Sequence, residues 1–92
     1  MQPIKVRIYS KKNCHLCGEA KAILSAYAKR YPISIEEIDI EQDAAAFDEY
    51  QYEIPVVFFE GRKRFKYHVD PKKLERAILN HLETVSGAKQ AS

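Results

Sequence analysis

The chain has 92 residues, 46% hydrophobic and 30% charged, which describes one soluble domain with a single modest core. A formal net charge of +2 is too small to point to nucleic acid or an anionic membrane, and two cysteines are too few for a secreted disulfide framework. No apolar run could span a bilayer, and the opening MQPIKVRIYS lacks the apolar stretch of a secretory signal, so a cytoplasmic protein with reduced resting thiols is expected.

Ile4, Val6 and Ile8 alternate with Lys5, Arg7 and Tyr9, the period of a strand. After a polar break, KKN, come Cys14 and Cys17. From Leu16 the spacing changes: Leu16, Ala20, Ile23, Leu24, Tyr27 and Tyr31 recur at three and four residues, the stripe of an amphipathic helix that Pro32 ends. ISIEEIDI alternates again, with Ile33, Ile35, Ile38 and Ile40 as candidate core residues and an irregularity near Glu36. EQDAAAFDEYQYE, rich in alanine and acid, suits a short exposed helix. IPVVFFE is an apolar run too short for a helix and reads as a strand buried on both faces. Gly61 marks a turn, and RFKYHV returns as the second arm of a hairpin. Asp70 followed by Pro71 opens a last helix, with Leu74, Ala77, Ile78, His81 and Leu82 on one face. Residues 1–84 form the expected domain, and residues 85–92 an expected disordered tail.

The order is βαβαββα. A right-handed crossover makes the first two strands parallel and the hairpin adds an antiparallel pair, giving an α/β fold with a four-stranded mixed sheet and helices on both faces.

This order puts Cys14 between the end of the first strand and the start of the first helix. Unpaired N–H groups and the positive end of the helix dipole favour an anion there, so the Cys14 thiol is expected below its free pKa of about 8.5. Lys11 and Lys12 add positive potential. Cys17, one helical turn further on and beside Leu16 and Ala20, is expected to lie deeper. The resulting roles are a nucleophilic Cys14 and a resolving Cys17. Ile54-Pro55 opens the buried strand. A proline fits that first position, and X-Pro bonds alone adopt cis cheaply. A cis bond would present the Ile54 backbone to a thiol or peptide; sequence leaves the isomer open.

Against this stands a pair of buried structural thiols. Zinc needs four ligands, and only His15, His68 and His81 remain to complete a set, at unrelated positions. A c-type haem motif would need histidine at 18, where glycine stands. His15 is either a tuner of the thiolate or an exposed bystander. His81 reads as a half-buried core histidine. GRKRFK reads as a charged hairpin tip, with docking of an acidic partner as its sharper alternative.

A strand, YSKKNCHLC opening a helix, and EIPVVFF before a hairpin and final helix together resemble a glutaredoxin of the thioredoxin superfamily, over residues 4 to 82. Cys14, Cys17, Lys11 and Pro55 match the family's two cysteines, its lysine and its cis-proline. The resemblance implies a thioredoxin fold and thiol–disulfide exchange on a Cys14–Cys17 couple, with no metal and no tightly bound cofactor. It implies glutathione as a possible electron donor, a disulfide-containing protein or small thiol as substrate, and a monomer. Lys11, His15, Ile54 and Pro55 would line the substrate site. Two departures matter. His15-Leu16 replaces the usual proline–tyrosine, and KYHVDPKK stands where glutathione-using members carry a glycine pair and an acidic residue. The chain thus resembles the divergent glutaredoxin-like group, and its donor is left open between glutathione and a thioredoxin reductase-type system. Competing readings are a thioredoxin-fold binding module without turnover and a carrier of an iron–sulfur cluster shared by two chains.

Overall fold

Alternation of Ile4, Val6 and Ile8 with charged neighbours builds β1 (Ile4–Ser10), whose apolar side is buried along its whole length. The computed structural model describes residues 2–91, with side chains described through residue 85. After β1 come α1 (His15–Ala28), β2 (Ile33–Asp39), a 3-10 turn (Ile40–Gln42), α2 (Ala44–Tyr50), β3 (Val56–Phe59), β4 (Arg62–Lys66) and α3 (Pro71–Ala91). The sheet runs β2-β1-β3-β4. β1 pairs in parallel with β2 from Ile4↔Ile33 to Ser10↔Asp39, and antiparallel with β3 from Val6↔Phe59 to Tyr9↔Val56. This is the expected mixed sheet. β1 and β3 lie at its centre, which explains why VVFF carries so little polarity: Val56, Val57 and Phe59 are all buried.

One face carries the main core. Ile4, Val6, Ile8, Val57, Phe59 and Phe65 of the sheet meet Ala20 and Leu24 of α1 and Leu74, Ala77 and Ile78 of α3. The opposite face is covered only at one end. There Tyr9 lies against Tyr50 of α2 and Phe58 of β3, with ring centroids 4.5 and 5.7 Å away. Ile40, Ala46 and Val56 are buried on that side, whereas Lys5 and Arg7 stay exposed. The seven residues of α2 are too few to cover more. What they do cover is the end of β1 from which the chain leaves toward Cys14.

α1 stops at Ala28, earlier than Pro32 alone requires. Residues 29–31 are spent reversing the chain: the N–H groups of Arg30 and Tyr31 both donate to the carbonyl of Tyr27. Tyr31 therefore reaches the core from a loop, stacked 6.2 Å from Tyr27. β4 also ends short, at Lys66, leaving His68 exposed in the following loop.

The hairpin turn is Glu60-Gly61, with φ of 51° and 82°. Two left-handed residues make a turn whose twist suits the strands. The conformation at Glu60 is offset by its N–H donating to the Lys5 carbonyl and its carboxylate accepting from the Lys5 N–H. Asp70 caps α3 as its sequence position implies: its Oδ1 accepts from the N–H groups of Lys72 (2.9 Å) and Lys73 (3.3 Å). α3 continues to Ala91. The disordered tail expected over residues 85–92 falls, from residue 86 on, on side chains outside the described residues. No helix among those described is long and apolar enough to cross a membrane.

Candidate active site at the Cys14–Cys17 pair

The turn between β1 and α1 is short because Asn13 takes a left-handed conformation, φ 60°, which asparagine tolerates better than most residues. Cys14 then stands extended as the N-cap of α1. Its sulfur accepts the N–H of Cys17 at 3.2 Å, and its carbonyl accepts the N–H of Gly18 at 3.1 Å. A side chain that caps a helix meets its open amides directly, where negative charge is favoured.

The two cysteines form a disulfide, with Cα atoms 5.2 Å apart. Their environments differ. Cys17 is 1% exposed and faces inward with Ala20 and Leu24, while Cys14 is half-buried and opens to solvent. That asymmetry follows from the helix stripe: positions 17, 20 and 24 share the core side, and position 14 lies where the helix begins.

Pro55 comes to the same end of the sheet through strand register. Tyr9 pairs with Val56, so Pro55 falls one step past it, alongside the end of β1 that leads to Cys14. Pro55 is fully buried and its bond to Ile54 is cis, resolving the isomer. Ile54 is half-exposed, and no backbone partner for its N–H or carbonyl is found among the described residues. The segment is held from both sides. The N–H of Tyr67 donates to the carbonyls of Pro55 (2.9 Å) and Glu53 (3.3 Å), and the Glu53 carboxylate takes a 2.6 Å hydrogen bond from Lys63. That bond keeps the Glu53 carboxyl below its ordinary pKa and raises that of Lys63.

Lys11 is exposed and makes no ion pair among the described residues, as does Lys12. His15 points elsewhere. Its Nε2 lies 3.2 Å from Glu19 one turn along the helix, and its side chain is 89% exposed. Among the described residues no three His, Cys, Asp or Glu side chains are gathered as a metal site would require.

Three features of this end escape sequence reading. Tyr52, two residues before Ile54, is 82% exposed, and Tyr67, whose N–H meets the Pro55 carbonyl, is 41% exposed. Their sequence positions, YQYE and FKYHV, carry no mark of this shared location. Ser10, at the last position of β1, is buried and donates to Glu37 Oε2 at 2.9 Å. The same oxygen accepts from Lys21 Nζ at 2.9 Å. The Lys21 bond first, and the Ser10 bond second, hold the Glu37 carboxyl below its ordinary range. Lys21 is one turn past Cys17, so this network ties α1 to β1 and β2 beneath the cysteine-bearing turn.

Comparison with known proteins gives this geometry a context. Residues 5–79 match the family described as the glutaredoxin-like domain. A glutaredoxin-like protein from Dictyostelium discoideum is 34% identical over 77 residues, covering 77% of this chain and 71% of the relative. A protein from Nitrosomonas europaea, solved by NMR, superposes with a TM-score of 0.72 at 26% identity, covering 85% of this chain and 94% of that one. Thioredoxin 1 from Thermosipho africanus superposes with a TM-score of 0.67 at 17% identity, covering 89% and 98%. The last of these shows that the architecture is the thioredoxin fold.

Proposed function

Because the chain belongs to the family of glutaredoxin-like domains, we propose that it is a thiol–disulfide oxidoreductase working through Cys14 and Cys17. One observation carries this reading: a half-exposed cysteine caps α1 and is already bonded to a buried cysteine one turn on. In the reduced protein the Cys14 thiolate attacks one sulfur of a substrate disulfide. That S–S bond breaks, one substrate thiolate leaves, and a mixed disulfide with Cys14 forms. Cys17 then gives up its proton and attacks the Cys14 sulfur, expelling the second substrate thiolate. The substrate gains two electrons and the chain is left as the Cys14–Cys17 disulfide, which a donor must reduce to close the cycle.

The remaining groups support binding. The unpaired Ile54 backbone next to Pro55 is open to main-chain hydrogen bonds from an extended substrate, and Tyr52 and Tyr67 are exposed rings on segments adjoining it. Lys11 is free to meet a substrate carboxylate. His15, drawn toward Glu19, acts on the thiolate only if it leaves that pair. The chemistry suits a reducing compartment, the cytoplasm.

The test is reduction of a small disulfide with two donor systems in parallel, glutathione with its reductase and a thioredoxin reductase. Turnover with either is expected. Cys14→Ser abolishes it, and Cys17→Ser accumulates a mixed disulfide visible by mass spectrometry. Turnover with neither donor would favour a binding module, and a coloured dimer after anaerobic iron and sulfide reconstitution would favour cluster carriage.

A further inference from the structure

The hairpin and α3 enclose a groove of about 990 Å³ whose lining includes neither cysteine and is rich in cations. Its floor is apolar, made by Phe59, Phe65 and Ala77. One wall carries Arg62 and Arg64 of β4, and the other Lys73 and Arg76 of α3. All four cations are exposed, and none makes an ion pair among the described residues. Among the described residues two carboxylates line the groove, and both are bonded to backbone: Asp70 caps α3 and Glu60 accepts from the Lys5 N–H. Four facing cations against two carboxylates leave the groove positive, in a chain whose whole net charge is only +2.

A break in strand register builds this arrangement. Val57 pairs with Phe65 and Phe58 with Lys63, so Arg64 is an inserted residue. In a regular strand Arg64 and Phe65 would point to opposite faces. The bulge lets Phe65 enter the core while Arg64 stays on the same side, its guanidinium 5.8 Å over the Phe59 ring. Lys63, by contrast, turns to the other face and its Glu53 partner. β4 is also the edge of the sheet, so the outer side of its backbone has no strand partner.

We propose that this groove docks an extended acidic segment of a partner polypeptide, its carboxylates held between Arg62 and Arg64 on one side and Lys73 and Arg76 on the other. An edge strand supplies main-chain hydrogen bonds to a peptide but not to a nucleic acid, and the rings of the floor are buried rather than presented for base stacking. The groove begins beside the candidate redox cleft, because Lys66 pairs with Val56 and the next N–H, of Tyr67, donates to Pro55. Taking the acidic segment as the flank of a disulfide substrate rests on the oxidoreductase reading. The docking itself does not.

The experiment therefore measures binding without turnover. A fluorescent, cysteine-free peptide alternating Glu and Thr, roughly ten residues long so that at ~3.3 Å per residue it outreaches β4, is titrated into the full chain. Fluorescence anisotropy is read at roughly 50 mM and roughly 300 mM salt, either side of the screening range. Saturable binding is expected at low salt, weakened at high salt. Arg64→Ala/Arg76→Ala should lower affinity by about tenfold or more, as two charge contacts imply, while Lys29→Ala/Lys72→Ala, equal in charge and outside the groove, should change it little. The Gln-for-Glu peptide should not bind. No binding of the acidic peptide, or equal weakening by both double variants, overturns the groove as its site. Tighter binding of a single-stranded oligonucleotide of equal charge overturns the choice of partner. The donor assay on the unsubstituted chain reports separately on the redox reading.

Discussion

Glu37 shows how a single carboxylate holds three elements in place. Its Oε2 is shared by Ser10 of β1 and Lys21 of α1, and both bonds favour the charged form. A carboxyl whose folded pKa is depressed stabilises the fold fully above its unfolded value, and that contribution is lost as pH falls through the lower folded value. Glu37→Gln is therefore expected to destabilise the protein at pH 7, by less than about 1 kcal/mol because Glu37 and Lys21 are partly exposed and screened. The gap between variant and parent should close on acidification below the ordinary carboxylate value of 4.5. Urea unfolding at pH 7 and in the acid range checks this, and a gap that widens in acid contradicts it. The cysteines were legible at this scale, since their separation by two residues at a strand-to-helix junction is a local pattern. The Ser10–Glu37–Lys21 network was not, because its members are 27 and 16 positions apart and meet only through the parallel register of β1 and β2.

Elements are legible where the signal is periodic and less so where the chain has to turn. The alternation of β1, the apolar run of β3 and the Asp70-Pro71 start of α3 each stand where the sequence implies. α1, however, gives up its last three expected positions, because the stripe ending at Tyr31 cannot register that a reversal must be fitted before β2. The bulge at Arg64 was equally hidden: RFKYHV alternates in writing, but satisfying both Phe65 and the hairpin turn requires one extra residue. Gly61 tests the turn by itself. With φ at 82° and no atom within 4 Å of an added Cβ, Gly61→Ala meets a backbone cost and no clash. A loss of about 1 kcal/mol is expected, read as a shift of the urea midpoint with unchanged slope. Asp70→Ala removes two accepted hydrogen bonds at the start of α3 and should cost a similar amount, about 1 kcal/mol. A neutral result at Gly61 would mean that the hairpin turn relaxes to another type.

Across the whole molecule, the reactivity proposed for one end of α1 is expected to depend on packing set by the far end of the chain. Cys17 is 1% exposed, and its helix neighbours on the core side are as deeply buried, Ala20 at 1% and Leu24 at 0%. Ala20 and Leu24 share the main core with α3, where Leu74 and Ile78 are both 0% exposed. In the reduced protein a bulky alkylating reagent should thus find Cys14 directly, while Cys17 reacts only from an opened state. Ile78→Ala removes buried volume remote in sequence from both sulfurs and is expected to cost about 2–5 kcal/mol. Against a total stability on the order of 5–15 kcal/mol, the variant stays folded at the lower end of that cost but opens at least ~30-fold more often. Labelling followed by mass spectrometry should then show Cys17 modification accelerated by that order, with Cys14 modification nearly unchanged. The opposite pattern, a Cys17 rate indifferent to Ile78, would mean that the start of α1 opens locally and independently of the core. The buried cysteine would then owe its protection to the cleft alone, and the coupling of α3 to the chemistry of the pair would be absent.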